Sequence, residues 1–336
     1  HEACGSPERG WVVKRFLWLL AIVATLAVSC PRAQPEEGEE AAGEALKLYV
    51  VVHGGSGDPY WQIVRKGVED AAGRFGIDLT WLNPEEFSIE RLVELMNNAV
   101  AANPDGMIAT ITDAEAVEPP LLDAINQGIP VIAFDVPDTR PLGERIPYLF
   151  YVGGDEFLAG QQAAERMLAE AEVTRAICAI QEVGNVALEL RCKGFADVME
   201  KNGVPVENID IGIDPGRVQS VLQGYFSANP DTNAVLTLGP QGAIPTIQYF
   251  SDNDLWGTVM HATFDLDPNT NESIKAGETL FLIDTQPYLM GYLSVMMMYM
   301  HLNYQFSLPE DLLTGPAIID KSTIESVEEL SKQRIR

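Results

Sequence analysis

From Leu48 onward the chain alternates two hydrophobic rhythms. Short runs rich in β-branched and aromatic residues recur as LYVVVH (48–53), DLTWL (78–82), GMIATI (106–111), PVIAFD (130–135) and YLFYVG (148–153). RAICAI (175–180), NIDIGI (208–213), AVLTLG (234–239), VMHATFD (259–265) and LFLID (280–284) continue the series. Short apolar runs bounded by Gly, Pro and Asp read as strands. Between them the apolar residues fall at helical spacing. In WQIVRKGVEDAAGRFG the positions Ile63, Val64, Val68, Ala71, Ala72 and Phe75 share a face, and Gly76 follows at a C-cap position. IERLVELMNNAVAANP and LAGQQAAERMLAEAE behave likewise. Strands that alternate with helices predict parallel sheets covered on both faces. Ten strands are many for one open sheet, so the expected fold is α/β with two Rossmann-like lobes.

In such sheets ligands bind beyond the carboxyl ends of the strands. There the sequence places His53, Asp58, Tyr60 and Trp61 after the first strand, Thr110 or Thr112 after the third and Asp135 after the fourth. Glu182 and Asn185 follow the sixth, with Arg191 on the next helix; Asp265 follows the ninth, and Thr285 and Gln286 the tenth. Carboxylates, amides and a guanidinium satisfy hydroxyls as both donors and acceptors, and Tyr or Trp rings lie against the C–H face of a sugar. The set therefore suits a neutral polyhydroxylated ligand. A phosphorylated one would want several cations, and Arg191 is the obvious cation here. For Asp135 and Asp265 taken singly, capping of the next helix is an equal alternative.

The stretch before Leu46 has another character. Lys14 and Arg15 precede the apolar run Phe16–Val28 and then Ser29-Cys30, the pattern of an export signal. Residues before Val13 are atypical of such a signal, so the expected start is Val12 or Val13. Ala27-Val28-Ser29-Cys30 resembles a bacterial lipoprotein cleavage box, apart from Ala27 where Leu is usual, and makes Cys30 the expected lipid anchor. Residues 1–30 are thus read as signal, and 31–45, rich in Glu, Ala, Gly and Pro, as an acidic disordered tether. An exported chain permits oxidation, so a Cys178–Cys192 disulfide is expected ahead of two buried thiols, with Cys178 ending a strand and Cys192 opening a helix.

Charge narrows the partners further. With 22 Lys plus Arg against 49 Asp plus Glu, the formal net charge is −27, which leaves no basic stripe for nucleic acid and disfavours anionic membrane surfaces. The loop HGGSGDPYW (53–61) looks like a hydrolase oxyanion loop, but no G-x-S-x-G elbow exists in the chain, and no Gly-Lys-Ser/Thr follows to make a phosphate loop. A hydrolase using HGGSG is the remote alternative. The expectation is no enzyme, no cofactor and no metal, since no ligand cluster has metal spacing. Glycines in the loop are expected to let its backbone approach a ligand. His261, inside an apolar strand, is expected to be a satisfied core residue. The Met-rich run Met290–Phe306 reads as an adaptable core helix.

Several blocks carry a resemblance. GDPYW after the first strand, PDGMIATITDAEAVEPPLLDAINQGIPVIAFD (104–135), GNVALELRCKGF (184–195), AVLTLGPQGA, ATFDLDP and LIDTQPYLMGY (282–292) occur in the order found in periplasmic substrate-binding proteins of sugar ABC transporters. The chain resembles the ribose- and galactose-binding type over most of its length after Leu46. The resemblance implies a type I periplasmic binding protein fold with three crossings between lobes, near Gly153-Gly154, Thr285-Gln286 and Ala317-Ile318. It implies an N-terminal lobe of residues 46–153 plus 286–317 and a C-terminal lobe of 154–285 plus 318–336. It also implies ligand contacts at Asp58, Tyr60, Trp61, Thr110, Asp135, Glu182, Arg191, Asp265, Thr285 and Gln286, with His53 and Asn185 as additions. Val136 and Gly239 stand where ribose binders carry Arg and Asn, which argues against ribose. The GNVALE and LTLGP blocks look closer to binders of pentitols and other simple sugars and polyols. A monomeric, exported lipoprotein that captures a pentose, pentitol or hexose and delivers it to an ABC permease is the implied function. A receptor of the same fold serving a sensor kinase is the alternative; a DNA-binding regulator would need a headpiece where the signal and tether stand.

Overall fold

The first lobe is organised around a six-stranded parallel sheet. Its members are β1 (Lys47–Val51), β2 (Asp78–Leu82), β3 (Gly106–Ala109), β4 (Val131–Phe134), β5 (Tyr151–Gly154) and β11 (Leu312–Gly315), in the order β11-β5-β4-β3-β1-β2. The second lobe repeats the plan with β6 (Ala176–Ile180), β7 (Val206–Asp210), β8 (Ala234–Thr237), β9 (Met260–Phe264), β10 (Thr279–Asp284) and β12 (Ala317–Asp320), ordered β12-β10-β9-β8-β6-β7. Only β12 runs antiparallel to its neighbour among the described pairings. These features belong to a computed structural model that describes residues 44–336. The expected signal segment, Cys30 and the expected tether up to residue 43 lie outside the described residues.

Local chemistry explains the elements. The inner strands β3 and β4 are buried on both faces, which is why GMIA and VIAF read as continuous apolar runs, whereas the edge strand β7 exposes three of its five residues. Helices start at side-chain caps: Asp58 for α1 (Pro59–Phe75), Ser88 for α2 (Ile89–Ala101), Asp113 for α3 (Ala114–Asn126) and Asp155 for α4 (Glu156–Glu170). Asn185 caps α5 (Val186–Lys201), Asp214 caps α6 (Pro215–Ala228), and Gly239 precedes α7 (Pro240–Asp252) without a side-chain cap. Asp267 caps α8 (Pro268–Ala276); α9 (Pro287–Tyr304) and α10 (Ile324–Lys332) complete the chain. Gly76 ends α1 in the left-handed conformation at φ 66°, as its position in the sequence predicts. Met290 and Met298 of α9 are buried in the first-lobe core beside Val64 and Val68. Among the described residues no helix is long and apolar enough to cross a membrane.

Two details differ from the sequence reading. The strands β11 and β12 are additional to the ten expected, and they flank the chain's last passage between sheets, at Gly315-Pro316. The other passages follow Gly154 and Asp284. Cys192 lies inside α5, which starts five residues before the helical run that opens at Arg191, because Asn185 caps it. A disulfide joins Cys192 to Cys178 of β6, with Cα atoms 5.6 Å apart, and so fixes α5 to the second sheet.

Candidate ligand-binding site

The carboxyl ends of the two sheets face each other across one cavity. His53, Asp58, Tyr60, Trp61 and Asp135 line it from the first lobe; Glu182, Asn185, Arg191 and Asp265 line it from the second. Nine of the twelve expected ligand residues therefore converge on one space. About 40 Å³ is open to the centres of water-sized spheres, several times the roughly 10–15 Å³ that one water needs. The polar lining is buried: Asp265 is 1% exposed, His53 2% and Arg191 5%, so the two lobes enclose it.

Backbone geometry aims the first-lobe groups. Asp135 sits at φ 63°, and Asp265 in the second lobe at φ 60°, both in the left-handed region that Asp tolerates better than most residues. Neither caps a helix: no helix follows Asp135 directly, and Asp267 caps α8. The capping alternative is thereby set aside at both positions. Tyr60 donates its hydroxyl to Asp135 Oδ1, and Asp58 Oδ1 accepts from the Tyr60 amide at 2.9 Å as the N-cap of α1. The Trp61 ring packs edge-on against His53, Tyr60 and Phe134. Gly54 makes that packing possible, since a Cβ there would stand 1.6 Å from the indole nitrogen, and a Cβ on Gly55 would stand 2.8 Å from the Glu85 carbonyl oxygen. Gly54 and Gly55 thus make room for the protein's own ring and backbone.

The second lobe holds its cation rigidly. Arg191 donates from Nε to Glu156 Oε2 at 2.5 Å and from Nη1 to the Leu238 carbonyl at 2.7 Å, and its guanidinium lies 4.2 Å from the Phe264 ring centroid. Glu156 and Arg191 are brought together by close packing of α4 on α5. A Cβ on Gly160 would stand 2.0 Å from the Arg191 carbonyl oxygen, and one on Gly194 2.0 Å from that of Phe157. Burial works against the Arg191 charge, but Glu156 and Asp265 outweigh it and raise its pKa. Asp265 Oδ1 is fixed by the Thr285 amide at 3.0 Å and hydroxyl at 2.6 Å, leaving Oδ2 without a partner among the described residues.

Burial dominates the electrostatics. It raises Asp58 to about 8, helped by the charge of Glu182 and opposed by the Tyr60 amide. It raises Asp135 to about 7 against the Tyr60 hydroxyl, Glu182 to about 7 against the Asn185 amide, and Asp265 to about 7 against Arg191 and Thr285. His53 is lowered to about 3 by burial alone, so its 3.8 Å approach to Glu182 is that of a neutral ring rather than an ion pair. Near neutral pH the four carboxyls are poised to accept or donate hydrogen bonds, as hydroxyl recognition requires.

Three expected contacts lie behind the wall. Thr110 meets His53 Nδ1 at 3.1 Å, Thr285 holds Asp265, and the Gln286 amide donates to the Thr314 carbonyl. None of the three lines the cavity. Each follows its strand, but with alternating side-chain directions a strand end does not say which way one residue points. Conversely, Gln181, Leu238, Pro240 and Gln241 line the cavity, and Glu156 supports Arg191, without having been singled out from sequence. Gln181 lies one residue beyond β6, where the strand-end rule could have found it; Gln241 and Glu156 lie in first helical turns and look like ordinary surface polar residues. Among the described residues, the side-chain oxygens of Gln181 and Gln241 are buried without a hydrogen-bond partner. Such atoms in a cavity wall are acceptors waiting for a donor.

Residues 48–305 match the family model of the periplasmic binding protein domain. The chain belongs to the periplasmic binding protein family. Among solved structures this binding protein is similar to a periplasmic sugar-binding protein of a Legionella pneumophila ABC sugar transporter, with 32% identity over 80% of this chain and 99% of that one and a TM-score of 0.76. It is also similar to a carbohydrate transporter from Acidothermus cellulolyticus in complex with myo-inositol, with 29% identity over 87% and 100% of the two chains and a TM-score of 0.79. The xylose/arabinose-binding protein XylF of Sulfolobus acidocaldarius is 26% identical over 280 residues, 80% of this binding protein and 69% of that one. The fold is that of type I periplasmic binding proteins, and the family places the mature protein outside the cytoplasm.

Solute binding, the family's work, also fits the fate of the HGGSG loop. His53 is buried with both nitrogens engaged and Ser56 is exposed, so the loop presents no Ser–His pair. His261, the other buried histidine, bonds Thr237 and Thr279 at 2.9 and 2.8 Å within the second-lobe core and lines no part of the cavity.

Proposed function

We propose that this protein captures one simple sugar or sugar alcohol between its lobes and delivers it to an ABC permease. The observation that carries the reading is the acceptor-rich wall. Asp58, Asp135, Glu182 and Asp265, together with the unpartnered oxygens of Gln181 and Gln241, surround one space shared by a single guanidinium. A ligand that fills it must bring many hydrogen-bond donors and no negative charge. Pentoses, pentitols, hexoses and inositols do; sugar phosphates and uronates do not. The names of the relatives, which concern xylose, arabinose and myo-inositol, support the same class.

In this reading Tyr60 and Trp61 cover the apolar face of the ligand, and Arg191 donates to its oxygens. Residues 46–154 with 286–315 act as one rigid lobe and 155–284 with 317–336 as the other, turning about the crossings. Ligand favours closure only through contacts absent from the open form. The closed surface is what the permease recognises, and a lipid on Cys30 would keep the monomeric receptor near it. Thermal-shift screening against pentoses, hexoses, inositols and sugar alcohols tests the reading. A true ligand at a hundred times its Kd stabilises by about 2.7 kcal/mol, a rise of several degrees in Tm. A panel that leaves Tm unmoved, or a uronate or sugar phosphate that moves it most, refutes the proposal.

A further inference from the structure

His53 lines the cavity, yet it has nothing left to offer a ligand. Its Nδ1 lies 3.1 Å from Thr110 Oγ1 in its own lobe, and its Nε2 lies 3.1 Å from Asn185 Nδ2 in the other. An amide nitrogen can only donate, so Nε2 accepts and the proton sits on Nδ1, donated to Thr110. Asn185 is equally committed. Its Nδ2 donates to both His53 and Glu182 Oε2, the latter at 2.9 Å, and its Oδ1 accepts from the Ala187 amide at 3.1 Å as the cap of α5. A neutral imidazole has one donor and one acceptor, and both are used; both hydrogens of the Asn185 amide are used as well. Trp61 and Phe87 pack edge-on against the imidazole at 5.0 and 5.8 Å and fix its plane.

We propose that His53 and Asn185 form a latch between the lobes, positioning residues that set the balance of open and closed forms for every ligand alike. The chain Thr110–His53–Asn185–Glu182 crosses from the end of β3 to the loop after β6 without needing a ligand atom. It is made only when the lobes are together, so its hydrogen bond favours closure by the same free energy whatever the cavity holds. Apparent affinity scales with the population of the binding-competent state, so every Kd shifts by one common factor when the latch is lost. The inference rests on the proposed reading only in taking closure to be the functional event.

The informative variant is Asn185→Ser, which keeps a good N-cap for α5 and removes the amide that reaches His53. His53→Phe removes the bond from the other side while keeping a ring against Trp61. Each variant is expected to weaken every sugar or polyol that binds the wild type by the same factor, about three- to ten-fold, the worth of one buried hydrogen bond. The double variant is expected to be no weaker than either single one. Small-angle X-ray scattering of the ligand-free proteins is expected to show the variants more open than the wild type. Factors that differ from ligand to ligand would mean that these side chains read the ligand directly and would overturn the latch. So would unchanged scattering together with unchanged affinities. If no sugar in the panel binds the wild type, the proposed function fails, and scattering alone decides the latch: identical profiles for wild type and Asn185→Ser sink it.

Discussion

Both lobes meet the cavity with carboxylates, but the first adds aromatic rings and the second adds amides and a buried ion pair. Both lobes have the same sheet order, and most of their helices start at a side-chain cap, yet their charges are handled differently. In the first lobe Asp58 and Asp135 face the cavity with no cation from their own lobe lining it; an amide and a tyrosine hydroxyl are their partners. In the second, Glu156 neutralises Arg191 almost completely out of water, at 4% and 5% exposure. The contrast separates two tasks. The first wall holds its carboxyls with no cation of its own, whereas the second sets Glu182 and Asp265 beside a cation that Glu156 clamps before any ligand arrives.

The sharpest way to break this comparison is at the clamp. Arg191→Ala leaves Glu156 buried and unpaired, and we expect a loss of about 3–5 kcal/mol in unfolding free energy with loss of ligand binding, measured by denaturant titration. Stability within 1 kcal/mol of the wild type would show that the pair is not the rigid element of its wall. Next in size, Asp135→Asn and Asp265→Asn preserve Oδ1, with its bonds from Tyr60 or Thr285, and replace only the free oxygen. Each should weaken ligand binding at least about ten-fold, as expected for a hydrogen bond to a charged group, with little change in folding. Retained affinity in both would remove these residues from the site. Gln241→Leu should act in opposite directions on two measurements: Tm of the ligand-free protein holds or rises as an unpartnered buried oxygen disappears, while affinity falls by about 1 kcal/mol. The remaining prediction concerns pH. Because burial raises Asp58, Asp135, Glu182 and Asp265 above their ordinary values, the folded form holds more protons than the unfolded one between about pH 4 and 8. Their contribution to stability is therefore largest at low pH and declines as pH rises through 7 to 8. Calorimetric Tm values that decline over this range in the wild type, and decline less in Asp135→Asn, would confirm it.

Much of this was legible in the chain because strand ends and ligand positions coincide in doubly wound sheets. The ten strand candidates all correspond to strands, and the polar residues after the first, fourth, sixth and ninth line the cavity. The strands LLTG and AIID escaped notice because they follow one another across Gly315-Pro316 with no helix between them, and so break the strand–helix alternation by which the others were read. Thr110, Thr285 and Gln286 were rightly placed along the chain, but their side chains serve His53, Asp265 and Thr314. The rotation that separates wall from support is smaller than anything residue spacing encodes. Gln241 carries no charge and no pattern, and its meaning appears only once its oxygen is seen to lack a partner, whereas Gln181 stood at a strand end where the rule could have found it.

The left-handed backbone at Asp135 and Asp265 bears on any attempt to retune this receptor for another cargo. Conventional saturation libraries at these two positions would consist mostly of members that clash with their own main chain, and poor folding would be mistaken for poor recognition. Asn and Gly are the replacements this conformation accepts readily, so altered selectivity is better sought at Gln181, Gln241 and Tyr60, where the main chain imposes no such filter.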